Sequence, residues 1–323
     1  MKKILISVII LVFVVTYFLF FNNNELVNTG KFKDFKTDLE TRSVELDKLI
    51  MAGDGKDSIP ALSNPSFVSM SEANLEDDVL GVLIDVNGEK RYYPYNILVW
   101  HEIVNDYIGD NYFAVTFCPL CRSAIVFDRN IGGKILEFGV SGFLYESNLL
   151  MYDRQTESFW SQAGLEAIVG KYTGTELKIL PMQLLSFGDL KEKYSDIKIL
   201  SEETGYDRDY SFYPYREYDQ SDELLFPVSV NNTKFKPKEV MLVIPYNDVS
   251  IAFPQLSLEE QKKSTLKING QTMEAFKDDG HISITLNGEE LPTYYEMWFS
   301  WATQHKNNGL LWSIEQCLTE IKL

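Results

Sequence analysis

The sequence predicts a β-rich α+β fold, with antiparallel sheets, a few short helices and two related lobes of which the second is shortened. Three observations predict it. Short runs rich in β-branched and aromatic residues recur from residue 79 onward, separated by turn signals. Asn87-Gly88 stands between two such runs, which is a strong short-range hairpin signal. The stretch 79–94 also resembles 240–254, so the pattern occurs twice.

The chain opens with Lys2-Lys3 and an apolar run over 4–21, broken only by Ser7, Thr16 and Tyr17. As a helix that run spans ~27 Å, close to the thickness of a bilayer core. It ends Tyr17-Phe18-Leu19-Phe20-Phe21-Asn22 without the small residues of a cleavage site, so it reads as an uncleaved signal-anchor rather than a signal peptide. The positive flank keeps the N-terminus in the cytoplasm and sends the body to the extracytoplasmic, periplasmic or cell-surface, side.

Organisation follows in order. Residues 1–21 are the transmembrane anchor and 22–57 a spacer, in which Phe32, Phe35, Leu39, Leu46, Leu49 and Ile50 at helical spacing suggest an amphipathic stalk. Residues 58–205 form the first lobe. There, 79–86 and 90–93 make the hairpin, and 94–106 read as a helix opened by Pro94, with Ile97, Trp100, Ile103 and Val104 on one face. Val115-Thr116-Phe117 and Ala124-Ile125-Val126-Phe127 are strands flanking Cys118-Pro119-Leu120-Cys121, and a meander continues through 135–160. A further helix is expected over 182–193. The Tyr/Pro-rich stretch 206–237 is a connector, and 238–323 is the second, shortened lobe, which lacks the Cys-x-x-Cys.

Composition narrows the function. Net charge is −17, from 47 acidic against 30 basic residues, so nucleic acid is repelled and is not a partner. Membrane contact must come from the N-terminal helix, and protein partners are not legible. Three cysteines are too few for a disulfide scaffold, and Cys317 stands apart from the pair. No phosphate-cradling glycine loop is present. Arg122 after Cys121 excludes c-type haem attachment, which needs histidine there. Gly139-Val140-Ser141-Gly142 lacks the glycine spacing of a nucleophile elbow. No reaction is named by these residues, so whether the chain is an enzyme stays open.

The chemistry-bearing stretch is Cys118-Pro119-Leu120-Cys121. Its thiols can ligate a soft metal, zinc or copper, exchange with disulfides, or only close a turn. For a metal, His101 is the leading third ligand because its helix precedes the hairpin, and Glu102, Asp106, Glu146 and Met151 are candidates to complete the shell. Thiol exchange is weakened because strand rather than helix follows Cys121, which removes the helix dipole. For His101, a histidine satisfied by a carbonyl or by Glu102 stands beside the ligand reading, and His281 and His305 read as surface residues. Phe127-Asp128-Arg129 and Tyr152-Asp153-Arg154 echo each other. They read as Asp–Arg pairs clamping turns, with an anion site at Arg129 and Arg154 as the functional alternative.

Ile59-Pro60-Ala61, Trp100-His101-Glu102-Ile103-Val104-Asn105-Asp106, Cys118-Pro119-Leu120-Cys121, Phe127-Asp128-Arg129, Gly139-Val140-Ser141-Gly142 and 152–160 occur in an order that resembles the family known as domain of unknown function 3179. The resemblance runs from about Ile59 to Trp312 and implies a grouping without a reaction. The chain departs from the family pattern at Arg122, where glycine is usual. Glycine eases a tight metal knuckle, whereas Arg122 adds a positive charge that favours thiolate.

Overall fold

The computed structural model describes residues 30–258, 262–278, 281–313 and 316–320. The proposed anchor lies outside them, and among the described residues no helix is long and apolar enough to cross a membrane.

A nine-stranded sheet, counted among the described residues, is the spine of the molecule. Its order is Leu62–Ser63, Ile103–Ile108, Asn111–Cys118, Ser123–Asp128, Tyr294–Met297, Val240–Tyr246, Val249–Pro254, Gly309–Ser313 and Gln316–Glu320. Strand alternation splits its side chains between two cores. Phe113, Val115 and Phe117 enter one core with the strands Leu80–Val86 and Lys263–Leu286 region residues Leu266, Met273 and Ile284. Ala114, Cys118, Ile125 and Phe127 enter the other, against Val140, Met151 and Trp160 of a five-stranded meander. Both faces are covered, so these strands read as continuous apolar runs rather than alternating ones.

The hairpin is formed as expected, with Leu80–Val86 against Glu89–Pro94. Asn87 and Gly88 have φ of 54° and 87°, the left-handed pair that a tight hairpin turn requires. Its counterpart, Val240–Tyr246 against Val249–Pro254, has the same register: Gly81 faces Pro94, and Met241 faces Pro254. Each hairpin then receives a strand, a helix and a parallel strand. In the first copy these are Gln183–Ser186, Phe187–Lys193 and Lys198–Leu200; in the second they are Tyr294–Met297, Trp298–Gln304 and Gly309–Ser313. The cysteine hairpin and the meander are inserted between Pro94 and Gln183. The four-stranded sheet spanning Lys263–Ile268 to Glu289–Glu290 fills the equivalent place in the second copy. Pairing of Tyr295 with Ala124 fuses the cysteine hairpin to the second copy in one sheet.

Three local expectations are corrected. The helix at 94–106 stops at His101, because Glu102 adopts φ 56° and donates its N–H to Leu98 O at 2.7 Å; Ile103–Ile108 is then a strand. The helix at 182–193 begins as the strand Gln183–Ser186, and Ser186 caps the helical part by accepting from the Asp189 N–H. In the spacer, the described residues form no stalk. Gly30–Phe32 and Leu46–Lys48 are single 3-10 turns, Leu49–Met51 pairs with the meander, and Phe32 and Leu49 are buried against Phe143, Leu150 and Phe159. Burial of a phenylalanine stabilises by ~2–3 kcal/mol, more than a short isolated helix could gain from propensity.

Ser141-Gly142 forms a register shift inside the strand Phe138–Tyr145, where the chain at Gly55 crosses. Gly142 has φ 80°, and a Cβ there would lie 2.6 Å from Gly55 O. Gly142→Ala is therefore expected to cost about 2–4 kcal/mol in urea unfolding, through a backbone clash that no side-chain rotation relieves.

Candidate functional site

The sulfurs of Cys118 and Cys121 are fully buried and not joined in a disulfide, and Cys118 closes the strand Asn111–Cys118 in register with Ser123. The turn between them holds Arg122 at φ 54°. This is the backbone region glycine favours, so the tight turn survives the departure at Arg122 at the expense of local strain. Arg122→Gly should raise stability by about 1 kcal/mol, read as a higher urea midpoint with unchanged slope.

The sulfur of Cys121 is held by polar groups from the facing meander. Asn148 Nδ2 donates to it at 2.9 Å, and Ser123 Oγ lies at 3.1 Å. Ser123 also donates to Gln162 Oε1 at 2.5 Å, Asn148 Nδ2 reaches the same oxygen at 3.0 Å, and Gln162 Nε2 donates to Thr116 Oγ1 at 2.9 Å. Asn148 Oδ1 in turn accepts from the Ala163 N–H at 3.0 Å, which fixes its amide orientation. Burial alone would raise the Cys121 pKa, but donation from Cys118, Asn148 Nδ2 and the Ser123 backbone N–H brings it below the ordinary thiol value. Cys118 moves the other way, pushed well up by burial and by sharing its proton with Cys121. Of the two thiols, Cys121 therefore gives up its proton more readily.

Two buried carboxyls face this thiol. Glu102 is pushed up to about 8 by burial and by Cys121, so it is neutral at pH 7. Glu296, on Tyr294–Met297, is raised well above the usual range by burial and by Cys121, and among the described residues neither of its oxygens has a hydrogen-bond partner. Met297 N donates to Cys121 O at 2.8 Å, tying this strand to the cysteine turn. The connector closes the site from above: Tyr218 OH donates to Leu120 O at 2.8 Å, and burial raises the Tyr215 pKa.

The other expected site residues lie elsewhere or serve other ends. His101 is engaged at both ring nitrogens, Nδ1 to Pro60 O and Nε2 to Tyr210 OH, each at 2.7 Å. With Nδ1–H donating to the carbonyl, Nε2 accepts from the tyrosine, which leaves no lone pair for a metal. Among the described residues no three His, Cys, Asp or Glu side chains are grouped to hold a metal ion, so the set Cys118, Cys121 and His101 is not assembled. Asp106 accepts from Arg91 Nη1 and Tyr93 OH, each at 2.6 Å. Met151 is core packing between Val140 and Trp160. Glu146 accepts from the Ser229 N–H.

Asp128, Arg129, Asp153 and Arg154 do clamp turns, but not as Asp–Arg pairs. Asp128 caps the Asn130 N–H, and Arg129 Nε donates to Leu136 O. Asp153 accepts from the Thr156 N–H and Trp160 Nε1, while Arg154 pairs with Asp57 and Glu137. Arg122 gives Cys121 no hydrogen bond; it lines a cleft with Leu80 and Tyr95 instead. Two histidines are less exposed than expected. His281 starts a strand, half-buried, and His305 is buried with Nε2 4.0 Å from Glu296 Oε1. Burial drives the His305 pKa to about 4, so that contact joins neutral partners at pH 7.

Asn148, Gln162, Ser123, Thr116 and Glu296 were not singled out from sequence as site residues. Polar residues inside otherwise apolar strand runs, such as Thr116 after Val115 and Glu296 after Tyr294-Tyr295, were the available signal.

Fold and site together define a β-rich α+β protein with a buried dithiol set between two sheets. The chain belongs to the family described as protein of unknown function DUF3179, whose model matches residues 56–291. No curated protein and no solved structure matches it.

Proposed function

We propose that Cys118 and Cys121 form a dithiol–disulfide redox centre, in a protein tethered by residues 1–21 with its body on the extracytoplasmic side. The observation that carries this reading is Asn148 Nδ2 donating to the Cys121 sulfur at 2.9 Å, joined by the Ser123 backbone N–H. A structural turn needs no thiolate, whereas exchange requires one. These donors do the work for which a helix N-terminus was found missing in the sequence.

The Cys121 thiolate attacks one sulfur of a partner disulfide, and the other partner sulfur leaves as a thiolate that takes the Cys118 proton. Cys118 then attacks the Cys121 sulfur and expels the second partner thiolate. The two protein sulfurs lose two electrons, and the partner disulfide gains them and becomes two thiols. Glu102, neutral at pH 7, protonates the second thiolate and recovers its proton from solvent. Because Tyr215 and Tyr218 cover the thiols, a protein disulfide reaches them only when that segment lifts.

A test is to arrest the reaction halfway. Cys118→Ser leaves Cys121 without its resolving partner, so incubation with oxidised glutathione is expected to give a stable mixed disulfide on Cys121, detected by mass spectrometry. An unmodified Cys121 under conditions that glutathionylate a free peptide thiol sinks the exchange reading.

Metal binding keeps one form. Zinc needs three or four grouped donors, and among the described residues no three His, Cys, Asp or Glu side chains are so grouped. Copper(I) accepts two thiolates alone, and Cys118 and Cys121 suit its softness. Competition of the full chain with a copper(I) chelator tests this second reading; loss of competition in Cys121→Ser supports it, and no competition by the wild type removes it.

A further inference from the structure

On the far side of the cysteine turn, Arg122 opens into a cleft of about 710 Å³, a volume typical of small-molecule sites. The cleft brings together polar atoms that lack partners among the described residues. The Tyr95 hydroxyl is one, on a side chain only 6% exposed and held by its ring against Phe117 at 4.2 Å. Asn96 Oδ1 and Asp219 Oδ1 are the others. Asn96 uses its amide nitrogen on Tyr210 O, and Asp219 uses its second oxygen on Tyr213 OH, so each offers one free acceptor. Arg122 and Asp219 line the same cleft with opposite charge, and the Arg122 charge opposes the rise that burial gives the Asp219 pKa.

We propose that this cleft binds a small zwitterion of the α-amino-acid class, its carboxylate on Arg122 and Tyr95 OH and its ammonium on Asp219 Oδ1 and Asn96 Oδ1. A guanidinium matches a carboxylate in two parallel hydrogen bonds, and an ammonium supplies the donors that two orphan oxygens require. A simple carboxylate would leave Asp219 and Asn96 unmatched, and a neutral sugar would use neither charge. The rest of the lining sets Glu76, Asp78, Glu202 and Asp209 against Arg208 and Arg216, an acidic excess that favours a ligand with a positively charged side chain over an acidic one. This inference goes beyond the redox reading and does not depend on it, since neither cysteine contributes an atom.

The test is calorimetric titration of the full chain with L-lysine, and with cadaverine, which is the same molecule without its carboxylate. L-Lysine is expected to bind, with cadaverine and L-glutamate each at least tenfold weaker. Arg122→Gly, whose glycine suits the backbone angle, and Asp219→Asn should each weaken lysine at least tenfold while keeping the wild-type urea midpoint or exceeding it. No binding of L-lysine, equal binding of cadaverine, or undiminished binding by Arg122→Gly overturns the proposal. The ligand comparison on wild-type protein decides the matter even if a variant misfolds.

Discussion

Glu102→Gln should leave stability almost unchanged at pH 5 and raise it by on the order of 4 kcal/mol at pH 9. The folded carboxyl titrates at about 8, against 4.5 for an ordinary glutamate, because burial and the Cys121 charge both oppose its ionisation. A raised folded pKa means that the native state holds the proton more tightly than the unfolded chain. The stabilising contribution is complete below pH 4.5 and is lost as pH rises to 8, above which the wild type must carry a buried charge. Glutamine keeps the shape and never ionises, so it escapes that loss. Urea unfolding of both proteins at pH 5 and pH 9 reads the difference directly; parallel pH profiles would show that Glu102 is solvated or paired.

The second large effect is expected at Asn148. Asn148→Ala removes the donor to Cys121, a donor to Gln162 Oε1 and the acceptor for the Ala163 N–H together. A hydrogen bond to a charged group is worth about 1.5–3 kcal/mol, so the Cys121 thiolate should titrate at least one pH unit higher. Thiolate absorbance in the ultraviolet followed against pH measures this in the folded protein. The orphaned Ala163 amide and the cavity should add a stability loss of about 2–4 kcal/mol. A thiol titration unmoved by the substitution would mean that the Asn148 contact does not act on the sulfur.

Much of the architecture was legible because its signals are local. Asn87-Gly88 fixed one hairpin through left-handed backbone, and two strands around Cys118–Cys121 followed from β-branched flanks. The repeated hairpin was visible as a paired motif, and the structure gives both copies the same register and adds the same strand–helix–strand return to each. What escaped depends on tertiary context. Glu102 ends a helix with a left-handed residue that carries none of the glycine or asparagine signal, because its backbone is held by Leu98 O and the Phe117 N–H. The spacer pattern at Phe32, Leu46 and Leu49 was apolar for a different reason, as a cover for the meander. The dithiol environment was hidden most deeply. Asn148 and Gln162 lie on the meander and Glu296 in the second copy, and only the packing of two sheets brings them to Cys121. His101, close in sequence to the hairpin, turns its ring to Pro60 O and Tyr210 OH, in keeping with the carbonyl-satisfied alternative.

The central claim is that these two sulfurs exchange electrons with each other and with a partner. Its most direct measurement is a redox titration of the full chain in dithiothreitol buffers, with free thiols alkylated and mapped by mass spectrometry at each potential. The account predicts one reversible two-electron transition in which Cys118 and Cys121 lose their thiols together, abolished by Cys118→Ser or Cys121→Ser. Both sulfurs remaining alkylatable after unfolding at every potential, or either one pairing with Cys317 instead, would contradict it.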